Sequence, residues 1–91
     1  MFHLVYTNSF KKDTKALLKR GYEMSVLKIN ILELERNGVL DISKRPHKLS
    51  GKYNGYWEAH IKNDWLLIWK IFEEEKEIWL TRTGTHADLF Q

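Results

Sequence analysis

The sequence predicts an α+β fold: an N-terminal strand and two helices packed on a small, mainly antiparallel β-sheet. Three observations predict it. The chain opens on a β-branched, aromatic run (FHLVY, 2–6); two stretches with helical periodicity follow; and from residue 55 onward three strand-like runs alternate with short polar turns.

The elements follow in order. After the opening strand, Thr7, Asn8 and Ser9 offer N-cap side chains for a helix over roughly 9–20, and Gly21 behind Lys19-Arg20 supplies a stop. Phe10, Thr14 and Leu17 share one face of this helix with Leu18 at its margin, while Lys11, Lys12, Lys15 and Lys19 fall opposite. A second helix over roughly 23–37 places Met24, Leu27, Ile31 and Leu34 on one stripe and ends at Asn37-Gly38. Val26, Ile29 and Leu32 lie off that stripe, so more than one side of the helix should be covered, in part by a partner protein. Periodicity lapses over 38–52, a loop holding the only proline, Pro46, the basic pair Lys44-Arg45, and His47. The run 55–61 alternates Tyr56, Glu58, His60 against Trp57, Ala59, Ile61, and Lys62-Asn63 suits a tight turn. The next run, 64–72, is apolar on both parities and reads as a central strand. Glu73 to Glu77 form a solvated turn, 78–83 completes a meander, and Gly84 breaks it. Thr85-His86-Ala87-Asp88 then resembles a capping box with Asp in the Glu/Gln place, opening a last helical turn with Leu89 and Phe90.

Composition narrows the function classes. At 91 residues the chain is expected to be one domain, 1–91, and its four Trp, four Tyr and four Phe can fill a core. No apolar segment approaches the ~18 residues of a membrane span, and MFHLVYTNSF has no basic region ahead of an apolar run, so the expected setting is cytoplasmic. The absence of cysteine excludes disulfides, thiol catalysis and thiolate metal sites. The net charge of +3 is unevenly spread. Residues 1–52 carry 11 Lys/Arg against 5 Asp/Glu, and residues 53–91 carry 4 against 7. A basic half is the electrostatic signature of a phosphate-bearing partner, although ordinary solvated lysines produce the same imbalance.

His47, His60, His86 and Asp64 gather around one hairpin and the strand end beside it. Singly, each histidine is ordinary surface chemistry; together they have what cutting RNA requires. Cleavage through the RNA's own 2′-hydroxyl needs one group to accept that proton, another to protonate the departing 5′-oxygen, and positive charge near the phosphate. The three imidazoles supply proton transfer near neutrality, Arg82 or a nearby lysine the charge, and Asp64 or Glu58 the orientation of a ring. Trp57, Trp65 and Tyr56 are available as stacking surfaces for unpaired bases, or as core. Three histidines and an aspartate are also a respectable zinc set, but no pair has the short H-x₃₋₅-H spacing, so acid–base chemistry without metal or cofactor is the expectation.

The segments HKLSGKYNGYWEAHIKNDWLLIWK (47–70) and TRTGTHADLF (81–90) resemble the YafQ branch of the RelE/ParE toxin superfamily. The resemblance lies in His-x-Leu-x-Gly, a following Gly-Tyr and His, Asp-Trp-Leu-Leu-Ile, and a closing Arg-x-Gly-x-His-x-x-Leu-Phe. It implies a type II toxin that cuts mRNA on the ribosome and is held inactive by a cognate antitoxin. Motif for motif it places His47, His60, Asp64, Trp65, His86 and Phe90 in or around the active site, with Arg82 and Glu58 in support. It assigns His47 as general base and His86 as general acid. Lys11, Lys12, Lys15, Lys44 and Arg45 would then meet ribosomal RNA. Three departures stand out: Trp57 where the family often has Arg, Glu58 for Asp, and Asn63 for a common Pro. The alternatives are a gyrase-inhibiting toxin of the ParE type, which needs no histidine cluster, and an inactive RNA-binding module.

Overall fold

β4 (Trp65–Phe72) is apolar on both parities because it is buried on both faces. The computed structural model, described over residues 1–90, surrounds it with β1 (His3–Tyr6), α1 (Asn8–Lys19), α2 (Met24–Asn37), β2 (His47–Lys48), β3 (Trp57–Lys62), β5 (Glu77–Gly84) and α3 (His86–Phe90). Among the described residues five strands form one sheet in the order β1-β5-β4-β3-β2. β1 runs parallel to β5, and every other pairing is antiparallel. This is the predicted α+β architecture with one strand more. β2 has only two residues, too few to show alternation, and it exists because His47 and Lys48 pair with Glu58 and Trp57.

One sheet face carries Ala59, Ile61, Trp65, Leu67, Trp69, Ile78 and Leu80 and packs against Phe10 and Leu17 of α1 and Leu27, Ile31 and Leu34 of α2. Truncating one of these, Leu17 for example, costs about 2–5 kcal/mol in a core of this kind. The other face carries Leu66 and Ile68 under a smaller cluster with Leu49, Tyr53, Tyr56 and Leu89. Glu58, His60 and Arg82 lie in register with these two residues, so the second face is the one that positions the candidate site. A β-bulge where Ile68 and Trp69 meet Arg82 and Leu80 places Thr81 outside the pairing and sets Arg82 on this face.

The helices begin and end where their capping chemistry allows. Thr7 caps α1, its hydroxyl oxygen accepting from the Phe10 N–H at 3.1 Å. α2 ends on Gly38 at φ 75°, where an added Cβ would lie 2.5 Å from the Phe2 ring, so both backbone and space require glycine. α1 also covers the edge of β5 that β1 leaves open: Asp13 accepts from the Thr83 N–H at 3.1 Å and from Arg82 Nε at 2.6 Å.

Candidate active site

Three histidines come together on the second sheet face, two of them beside a carboxylate. His47, on β2, faces Glu58 across the strand pair, with its Nε2 3.2 Å from Glu58 Oε1. Its Nδ1–H is directed at the Arg45 carbonyl oxygen, 2.9 Å away. Glu58 is buried, so its carboxyl depends on the polar groups placed beside it. His86 opens α3, and its Nδ1 lies 2.5 Å from Asp64 Oδ1. Asp64 follows the turn residue Asn63, whose φ of 49° asparagine tolerates and proline cannot adopt, so this turn is built differently from one with proline there.

His60 lies between these pairs, its ring centroid 5.7 Å from that of His86. Its Nδ1 is shielded from solvent and has no hydrogen-bond partner. Burial pushes its pKa below the ordinary imidazole value, and the nearby positive charge of Arg45 adds to this. Asp64 is held below the usual carboxylate range chiefly by its hydrogen bond with His86. An ionised Asp64 fixes the His86 tautomer with the proton on Nδ1 and turns Nε2 outward.

The capping box read from the sequence sets the position of His86. The Asp88 N–H donates to Thr85 Oγ1 at 3.1 Å, and the Thr85 N–H donates to Asp88 Oδ2 at 2.9 Å. Gly84 makes room for it: at φ 154°, a Cβ there would meet Asp88 Oδ2 at 2.9 Å. Among the described residues no three His, Asp or Glu side chains are grouped closely enough to hold a metal ion.

The family model for the bacterial toxin of type II toxin–antitoxin systems, YafQ, matches residues 2–91. The chain belongs to the YafQ toxin family. The mRNA interferase toxin YafQ of Escherichia coli K12 is 38% identical over 86 residues, covering 93% of this chain and 91% of the relative. A copper-bound mutant toxin from Helicobacter pylori superposes with a TM-score of 0.88 at 38% identity, over 99% of this chain and 100% of its own. YafQ in the E. coli DinJ–YafQ complex superposes at 0.84 with 35% identity over 100% of both chains.

In this YafQ-family toxin several residues singled out by sequence have other occupations. Trp65 is buried, donates from Nε1 to Thr83 Oγ1 at 2.9 Å and packs edge-on to Tyr22, so it offers no ring to a base and supports the turn from the core side. Trp57 faces the helices, stacked on Trp69 at 6.3 Å, which places it on the side of the sheet away from the histidines. Lys44 is engaged by Glu33 at 2.6 Å and is not free for RNA, whereas Lys11, Lys12, Lys15 and Arg45 are exposed. Arg82 forms a two-point ion pair with Asp13, at 2.6 and 3.1 Å, so much of its charge is already matched. Arg45, close enough to influence His60, is the better placed free cation. His3 is exposed on β1, away from the cluster. Phe90 is exposed next to His86, with ring centroids 6.0 Å apart. Sequence reasoning missed Asp13 and Tyr53. Asp13 is the one acid in a lysine-rich helix, a signal available in the sequence. Tyr53 lies in a loop with no periodicity to reveal it.

The depressed His60 pKa gives a testable sign. Its ring should titrate below ~6.5, the unperturbed value, and be neutral at pH 7. As pH falls through the window between the lowered folded value and ~6.5, the unfolded chain takes up a proton that the folded chain does not, so this group's contribution to stability is lost on acidification. An NMR titration of the His60 ring tests this; a midpoint at or above the unperturbed value contradicts it.

Proposed function

We propose that this toxin cuts mRNA on the ribosome by metal-free acid–base catalysis, with His47 as general base and His86 as general acid. It is an mRNA interferase of the YafQ family, hence an endoribonuclease. The observation that carries the mechanism is the pair of His–carboxylate contacts, His47–Glu58 and His86–Asp64, on either side of His60.

With the Nδ1–H of His47 donated to the Arg45 carbonyl, Nε2 is the atom that takes the proton from the 2′-hydroxyl. The imidazolium so formed lies against Glu58, which stabilises the new charge. The 2′-oxygen attacks phosphorus, the bond from phosphorus to the 5′-oxygen breaks, and His86 delivers a proton from Nε2 to the departing oxygen. Asp64 stabilises His86 in its protonated state before that transfer. The products are a 2′,3′-cyclic phosphate and a 5′-hydroxyl. Arg45 and a neutral His60 supply positive charge and an N–H donor to the phosphate as its negative charge grows. Lys11, Lys12 and Lys15 on α1 are assigned to ribosomal RNA phosphates.

The deciding experiment programmes ribosomes with mRNA, adds the purified protein and maps new 5′ ends. Cleavage inside the coding sequence, absent without ribosomes, is expected. Intact mRNA together with inhibited DNA supercoiling would instead favour a gyrase-directed toxin, and bound but uncut RNA an inactive RNA-binding module.

The cognate antitoxin is assigned to a groove of 710 Å³ between α1 and α2. Leu18, Met24, Leu27 and Leu32 line it, and Lys11, Lys15 and Lys28 rim it beside Glu35. Leu18 of α1 and Leu32 of α2 are exposed; of the surplus apolar residues read from α2, Leu32 lines this groove, while Val26 and Ile29 lie outside it. A groove with an apolar floor and a basic rim suits an amphipathic, acidic segment. Leu18→Asp with Leu32→Asp should weaken antitoxin binding by at least about 30-fold, the scale of an interface hot spot, and leave the cleavage rate at saturating ribosomes unchanged. Calorimetric titration against the antitoxin checks this; unchanged affinity contradicts it.

A further inference from the structure

The candidate catalytic histidines stand at one end of a series of ring contacts, bridged once by a lysine, across the same sheet face. His86 lies 6.0 Å from Phe90 between ring centroids, Phe90 5.8 Å from Tyr53, and Tyr53 5.9 Å from Tyr56. Lys70 then bridges, its Nζ 5.2 Å from the Tyr56 ring centre and 5.4 Å from that of Phe72. Phe72 meets Trp79 at 5.4 Å. β4 and β5 dictate this arrangement. Lys70 pairs with Trp79, and Phe72 lies on the same face two residues beyond Lys70, next to Trp79.

This series is more than core packing that reaches the surface. Phe90 at one end is 46% exposed and Trp79 at the other 41%, a large cost in solvated apolar surface for a strand that buries its alternate residues completely. Cations accompany the rings: Lys70 between Tyr56 and Phe72, and Lys52 5.5 Å from the Tyr53 ring centre. The far end also carries acids: exposed Glu73, Glu74 and Glu75 follow Phe72, and Glu77 accepts from Trp79 Nε1 at 3.1 Å, a bond that fixes how the indole is presented. Aromatic rings alternating with lysines on an open sheet face match a single-stranded nucleic acid, whose bases stack on rings of any orientation and whose phosphates take the cations.

We propose that the face from Phe90 through Tyr53, Tyr56, Lys70 and Phe72 to Trp79 is a track for the single-stranded RNA flanking the cleavage point, with Trp79 its outermost base platform. The inference rests on the active-site reading above and adds a substrate-binding surface well outside the histidine cluster. The lysines set against the rings and continuity with that cluster favour RNA here over a protein partner, whose apolar groove lies on the other side of the molecule.

The test uses the whole protein and a fluorescein-labelled ten-nucleotide 2′-O-methyl oligoadenylate, which lacks the 2′-hydroxyl needed for cleavage, with affinity read by anisotropy. Trp79→Ala is expected to bind about 5- to 100-fold more weakly than wild type. Trp79→Phe, which keeps a ring, should recover most of the affinity. In ribosome assays Trp79→Ala should raise the toxin concentration needed for half-maximal cleavage and leave the plateau rate unchanged. His86→Gln should do the reverse, abolishing cleavage without changing oligonucleotide affinity, so failure of the track and failure of the catalytic reading are separable. The track is overturned if wild type does not bind the oligonucleotide, if Trp79→Ala binds it equally well, or if Trp79→Ala loses antitoxin affinity alone.

Discussion

His86→Ala is expected to slow ribosome-dependent cleavage by about 10²- to 10⁴-fold, the usual contribution of a general acid. The fold should survive the change. The His86 side chain is half exposed, and the start of α3 is held by Thr85 and Asp88, which cap each other without it. Asp64→Asn should lose much of the same rate. The carboxylate oxygen 2.5 Å from Nδ1 becomes part of a neutral amide, which no longer stabilises the protonated ring that acts as the acid. Single-turnover cleavage of ribosome-bound mRNA, beside a thermal melt of each variant, separates lost chemistry from lost structure. A His86→Ala variant that cuts within a fewfold of wild type would remove His86 from the mechanism.

His47→Ala should cost a comparable factor of about 10² to 10⁴ as loss of the general base. It carries a second consequence that the His86 variant does not. Glu58 is 4% exposed, and His47 Nε2 lies 3.2 Å from its carboxyl oxygen, so removing the ring strips a buried acid of a polar neighbour. His47→Ala is therefore expected to lower stability as well as rate. The double variant His47→Ala with Glu58→Gln should regain stability and remain inactive. Denaturant unfolding of the single and double variants reads the first quantity and single-turnover cleavage the second. A double variant no more stable than His47→Ala would show that Glu58 does not depend on the imidazole.

Much of this was legible in the sequence because the relevant signals are local. The double-sided apolar run of β4, the Thr7 cap, the Gly38 stop and the Thr85–Asp88 capping box each lie within a few residues of chain. The His60–Asp64 hairpin is local too, and it carried most of the site. What the sequence did not reveal depends on pairing between distant segments. A two-residue strand such as β2 has no periodicity, so the contact of His47 with Glu58 followed from no pattern. The engagement of Arg82 by Asp13 spans 69 positions and exists because α1 covers the free edge of β5. The burial of Trp65 has a similar origin, since only the completed sheet decides which side of the hairpin faces the helices. The aromatic series from Phe90 to Trp79 is likewise a property of strand register, invisible until β4 and β5 are aligned.

The division of labour between His47 and His86 is the centre of the mechanism, and a substrate with a bridging sulfur in place of the 5′-oxygen at the cut site tests it most directly. A thiolate departs without help from an acid, so only the base remains necessary. On such an mRNA, bound to ribosomes, His86→Ala is expected to cut at close to the wild-type rate while His47→Ala stays slow. If His86→Ala remains as impaired on the sulfur substrate as on the natural one, or if His47→Ala is the variant rescued, the assignment of acid and base is wrong.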